Sequence, residues 1–118
     1  MAELHAALAW VAVVGAVAVV AAALPTAAGR TESYRLLDLA ILVQIGSTAA
    51  AALVGLLLLV GGRGPSEALH FVYAAVALAI VPVVRYTARE RTAVRMARLV
   101  ALAGLVAAVS IVRLFMTG

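Results

Sequence analysis

Four long apolar runs divide the chain, and its polar residues gather in short clusters between them. The first run covers about 3–24 and stops at Pro25. The second covers about 35–60 and is closed by Gly61, Gly62 and Gly64. The third opens after Pro65, with Ser66 as its expected N-cap, and runs to about 86. The fourth covers about 92–116, just before Gly118. A helix needs about 20 apolar residues to cross a hydrocarbon core about 30 Å thick. Barrel strands are about ten residues long and alternate in polarity, which these runs do not. Alanine and leucine favour helix, and lipid demands that every backbone group be paired within the segment. The expectation is an all-α integral membrane protein: one transmembrane domain over 1–118. Connections of about six to ten residues imply an up-down-up-down four-helix bundle.

Composition narrows the function classes. The chain is 67% hydrophobic and 12% charged, against roughly 45–50% and about 25% in a soluble domain. That argues against a soluble globular enzyme and excludes disorder, because disordered chains are polar and charge-rich. Four spans leave no length for a large extramembrane catalytic domain. The first run carries no basic flank, with Glu3 and no Arg before it, so it reads as a span rather than a cleaved leader. Twenty-nine residues are Ala, and there is no Lys, Asn or Cys. Without Cys there are no disulfides, Cys-bound zinc, iron–sulfur clusters or thiol catalysis. The Gly61–Glu67 segment lacks the Lys-Ser/Thr of a P-loop. No Ser-His-Asp set and no facing mid-membrane carboxylates are evident, which argues against a hydrolase or an NTPase.

The net charge is +4 and all nine basic residues are Arg. Their placement beside apolar runs points to lipid headgroups rather than nucleic acid. Arg30, Arg35, Arg85, Arg89, Arg91, Arg95 and Arg98 fall on one side, and Arg63 and Arg113 on the other. Positive charge accumulates on the cytoplasmic side. Both termini and the 61–66 loop are therefore expected outside a bacterial inner or plasma membrane. Trp10 and Tyr34 suit interfacial anchoring. Arg91, Arg95 and Arg98 share one helix face, where anionic lipid headgroups are the expected contact.

What topology leaves over is chiefly the two histidines. His5 lies in the first turns of helix one, and His70 one turn past Ser66 in helix three. Both helices start on the same side, so the rings share a depth. In a cyclic bundle these helices are diagonal, with axes roughly 11–14 Å apart if neighbours pack at 8–10 Å. Two imidazoles entering such a gap can bracket a flat macrocycle, and His is a common axial ligand of haem. Leu8, Ala9, Ala12, Gly15 and Ala16 lie below His5, and Tyr73, Ala74, Ala77 and Val81 below His70. Small residues there leave room for a porphyrin. Arg113, with Ser110 one turn away, and Arg63 are candidate partners of its propionates. Glu3 or Glu67 is a candidate acceptor for a ring N–H. The candidate cofactor-binding set is His5, His70, Arg113, Arg63 and Tyr73, with both His as ligands of the iron of haem b.

This arrangement resembles membrane b-type cytochromes, in which a four-helix bundle holds haem between His on different helices. The resemblance rests on His5, His70, the small-residue faces and Arg113, and includes no diagnostic linear motif. It implies electron transfer, or a subunit role in a respiratory or redox complex. Members of cytochrome b561 type carry four His and two haems. Two His allow one haem, so transfer across the full membrane needs a redox partner or a second chain.

Other readings stay open at this point. Isolated His near helix ends also sit in the headgroup region without a ligand, and small residues also serve close helix packing. A metal ion alone finds an incomplete ligand set in two His. A cofactor-free structural subunit of a larger membrane complex fits the short loops. A small oligomeric transporter needs an ionisable group inside the membrane, whereas Glu3, Asp38 and Glu67 lie near span ends. Gly46, Gly55 and Gly104 suit either intrachain packing or a homo-oligomer. Gln44 is the one strongly polar mid-span residue; Thr48, Ala51, Ala52 and Gly55 share its stripe, and interhelical hydrogen bonding is its expected role rather than a quinone headgroup. Pro82 is expected to kink helix three near Leu78.

Overall fold

A computed structural model describes residues 1–31 and 34–118. Residues 32 and 33, part of the expected 25–34 connection, lie outside the described residues. The described residues form four helices: α1 (Ala2–Ala27), α2 (Arg35–Val60), α3 (Leu69–Thr87) and α4 (Ala93–Thr117). All four are long and apolar enough to cross a membrane. At 1.5 Å per residue the 26 residues of α1 span about 39 Å. The molecule is 49 Å long and 21 × 19 Å across, close to the about 40–45 Å of a bilayer with its headgroups.

The packing is the inverse of a soluble bundle. The interior is built largely of small residues: Ala12, Ala16, Ala23, Ala77, Ala97 and Ala107 are buried. The bulk points outward, with Val14, Leu42, Leu53, Val60 and Val109 all more than half exposed. Helices in lipid gain nothing by hiding Leu from a hydrocarbon solvent, so close backbone approach decides which face turns inward. A Cβ on Gly15 would lie 2.9 Å from Gln44 Cα, and one on Gly104 3.3 Å from the Ala16 carbonyl oxygen. Glycine is what lets α1 approach α2 and α4 that closely.

α1 packs along α2 and α4, and α4 packs along α3, while α2 and α3 touch least of the neighbouring pairs. α1 and α3 are thus diagonal, with α4 between them. Polar contacts tie the ends. At one end Ser66 Oγ and the Glu67 N–H donate to the Thr117 carbonyl at 3.1 and 3.3 Å. At the other, Arg98 Nε donates to the Ala27 carbonyl at 3.2 Å, and Arg85 pairs with Asp38 at 3.1 Å. Arg98 therefore caps the carbonyl end of α1, a role its lipid-facing assignment did not anticipate. The Arg85 guanidinium also lies 5.3 Å from the Tyr34 ring centre.

The helix boundaries depart from the apolar runs at two places. α1 does not stop at Pro25 but continues to Ala27 with Pro25 inside its last turn. Its end is made by Gly29 at φ 71°, where the Gly29 N–H reaches the Thr26 carbonyl and the Arg30 N–H the Pro25 carbonyl. Gly62 at φ 75° closes α2 through the same pair of bonds, to Leu59 and Leu58. A left-handed glycine recovers carbonyls that a helix end otherwise leaves open. α3 begins at Leu69, not at 66, and Ser66 does not cap it, since its hydroxyl is bonded to Thr117. Thr92 does cap α4, accepting the Arg95 N–H. Pro82 lies inside α3, which runs on to Thr87.

Candidate functional site

The two histidines meet. His5, in the first turn of α1, and His70, the second residue of α3, have ring centres 6.3 Å apart with their planes inclined by 36°. Both rings are half-buried and line one cavity of about 560 Å³ between the four helices. That volume lies within the roughly 300–1,000 Å³ of sites for cofactors and drug-sized ligands. α1 contributes Ala6, Ala9 and Ala12, α2 contributes Thr48, Ala51, Ala52 and Gly55, and α3 contributes Phe71 and Ala74. Ile111, Leu114 and Phe115 of α4 close the back, and Arg63, Gly64 and Pro65 form part of the rim.

Each ring has its own support. His5 Nδ1 lies 2.8 Å from the Ala51 carbonyl oxygen. A carbonyl only accepts, so Nδ1 carries the proton and Nε2 keeps its lone pair. In α2 the Ala51 carbonyl also serves the N–H four residues on, that of Gly55. A Cβ on Gly55 would sit 2.9 Å from His5 Cε1 and 3.4 Å from Nδ1. Glycine at 55 thus clears the way for the ring to reach the oxygen one turn back. His70 Nδ1 lies 3.4 Å from Thr117 Oγ1, and its ring also meets the Leu114 backbone. The ring contacts therefore come from Ala51, Thr117 and Leu114, not from the carboxylates of Glu3 or Glu67.

Gln44 lies one helical turn from the cavity residue Thr48. It is fully buried, and its Nε2 donates to the Ala77 carbonyl at 3.0 Å and to Thr48 Oγ1 at 3.1 Å. This bond joins α2 to α3, the interhelical role expected of it. The Arg85–Asp38 pair joins the same two helices farther down. The neighbouring helices that touch least are thus linked in one half of the molecule, and the cavity occupies the other.

Of the sequence candidates, the structure brings His5, His70 and Arg63 to the cavity. Arg113 lies on the exposed side of α4 with Nη1 3.9 Å from Met116 Sδ, and Tyr73 is half-buried; neither lines the cavity. Ala9, Ala12 and Ala74 line it as expected, whereas Gly15 is taken up by the α1–α2 contact and Ala77 by the core. Thr117, Phe71 and Phe115 escaped the sequence reading. Thr117 lies seven residues after Ser110, and both are buried, so helical periodicity placed it on the inner face. The Ala51 carbonyl has no signal in a side-chain sequence.

Among the described residues no group of three or more His, Cys, Asp or Glu converges as a metal site. No known protein family, curated protein or solved structure matches the chain.

Proposed function

We propose that the chain is a small haem b-binding protein of the bacterial inner or plasma membrane, serving electron transfer or a redox complex. His5 and His70 are its two axial ligands, in the manner of membrane b-type cytochromes. The observation that carries this reading is the pair of imidazoles, with ring centres 6.3 Å apart, that lines one largely apolar cavity. A metal–imidazole bond of about 2.0 Å, with about 1.1 Å more from nitrogen to ring centre, would put the ring centres of two imidazoles held by one metal up to roughly 6.2 Å apart. The rings stand at 6.3 Å. Two nitrogen ligands are too few for a bare ion but complete the coordination of an iron that brings four of its own. Gly55 leaves a cradle for one ring, and the Nδ1–H bond to Ala51 fixes the tautomer that leaves Nε2 for the iron.

Bound haem supplies one-electron chemistry. The protein's part is to hold and shield it. Ala9, Ala12 and Ala74 leave the volume, Phe71 and Phe115 wall it, and Arg63 at the rim is the available counter-charge for a propionate. In the membrane the helices run up-down-up-down with both termini outside, which sets the His end at the extracytoplasmic face. The seven-to-two Arg distribution supports that orientation. A single haem near one face requires a partner for transfer across the bilayer: a redox protein, a larger membrane complex or a second copy.

The test is the visible spectrum of the full chain purified after expression with ample haem. Six-coordinate, low-spin bands in both oxidation states are expected, and His5→Ala or His70→Ala should each abolish them. The only tryptophan, Trp10, stacks on the cavity residue Phe115 at 4.9 Å between ring centres. Its fluorescence should fall as haem is titrated into the colourless protein, saturating at one equivalent. A protein that stays colourless, with Trp10 emission unchanged by haem, overturns the reading.

A further inference from the structure

His5 is held by a carbonyl inside a long helix, whereas His70 stands at the very start of α3 and borrows its support from elsewhere. That support is the last turn of α4. Thr117 is 6% exposed, and its hydroxyl donates to the Arg113 carbonyl at 3.2 Å. A threonine hydroxyl has one proton. With that proton on the Arg113 carbonyl, Oγ1 is left to meet His70 Nδ1 as an acceptor, an arrangement that puts the hydrogen on Nδ1 and the lone pair on Nε2; the same ring also meets the Leu114 backbone. The Thr117 carbonyl, for its part, takes the Ser66 hydroxyl and the Glu67 N–H. The Glu67 carbonyl in turn accepts the His70 N–H at 3.1 Å. One residue therefore touches both the ring and the backbone turn that carries it.

We propose that Thr117 is the positioning residue of His70: its hydroxyl selects the Nδ1–H tautomer and leaves Nε2 as the free ligand nitrogen. The purpose assigned to that nitrogen rests on the haem reading, but the tautomer does not. The two roles of Thr117 separate cleanly, because Thr117→Val removes the hydroxyl at nearly constant shape and keeps the carbonyl that clamps Ser66 and Glu67. Thr117→Ser keeps both.

The experiment is nitrogen-15 NMR of the histidine rings in the haem-free full chain in lipid nanodiscs. In the unsubstituted protein both His are expected as Nδ1–H tautomers. In Thr117→Val the His70 signals should move toward the Nε2–H form while His5 stays unchanged, the latter reporting an intact fold. Thr117→Ser should restore His70. A His70 tautomer unaffected by Thr117→Val overturns the proposal, since the Leu114 backbone then suffices. With haem added, losing an Nδ1–H acceptor makes the ligand less basic, which favours the ferrous state. The midpoint potential of Thr117→Val should therefore rise, and that of Thr117→Ser should not. Failure of every variant to bind haem counts against the haem reading alone. Haem binding with neither tautomer nor potential altered counts against Thr117 alone.

Discussion

A missing methyl group at position 55 has more influence on the site than most of the side chains around it. Gly55 gives the His5 ring both its space and its access to the Ala51 carbonyl. Gly55→Ala is expected to push the ring off that oxygen and to weaken haem binding by about 10–100-fold, the usual cost of losing a ligand's supporting contact. A high-spin fraction in the oxidised spectrum should accompany the loss. Gly46 lies in the same helix and has open space where its Cβ would go. Gly46→Ala should leave affinity and spectrum unchanged, and an equal effect of both substitutions would show that helix propensity, not the His5 contact, is being measured. At this scale the sequence displayed the two His and the small residues near them, because side-chain type and helical spacing are readable. It did not display which partner each ring takes, because one is a backbone carbonyl 46 residues away and the other a threonine 47 residues away. The two Arg expected to face a ligand divide likewise: Arg63 reaches the rim through the loop, while Arg113 turns outward on α4.

Helix by helix, the boundaries follow backbone hydrogen bonding more closely than they follow hydropathy. Pro25 removes one donor, yet α1 continues, since ending there would strand carbonyls in an apolar phase, and prolines are tolerated where neighbours re-satisfy the backbone. Gly29, Arg98 and the second Schellman turn at Gly62 supply the actual stops. Ser66 was a sound cap by local rules, and a distant carbonyl on Thr117 took its hydroxyl instead. Close approach between helices is the other determinant. A Cβ on Gly15 would lie 2.9 Å from Gln44 Cα and 3.2 Å from its nitrogen, and neither backbone atom can swing aside. Gly15→Ala should therefore separate α1 from α2 and destabilise the bundle by about 1–3 kcal/mol, the range for overpacking. Reversible unfolding in mixed micelles measures this, and an unchanged midpoint would mean the two helices adjust at no cost.

On the scale of the whole molecule, the proposed orientation in the membrane is directly testable. Arg98 and the Arg85–Asp38 pair hold one end of the molecule, and the Ser66, Glu67 and His5 contacts hold the other. The absence of Cys from the chain makes the orientation measurable, since any introduced thiol is unique. Glu67 and Glu90 are exposed at opposite ends. In intact cells a membrane-impermeant maleimide is expected to label Glu67→Cys directly, and Glu90→Cys only after permeabilisation. The reverse pattern would place the histidines on the cytoplasmic face and overturn the proposed orientation.

The four helices and their apolar, membrane-compatible length follow from the sequence alone, because hydropathy and helix length are sums over neighbours along the chain. So does the concentration of Arg at alternate connections. The meeting of His5 and His70, the cavity around them and the weak α2–α3 seam belong to the tertiary structure. They depend on which helix faces pack, and along α1 and α2 the hydrophobic pattern barely distinguishes one face from another. Close-packing contacts at Gly15, Gly55 and Gly104 distinguish them instead, and those contacts exist only once the helices are side by side.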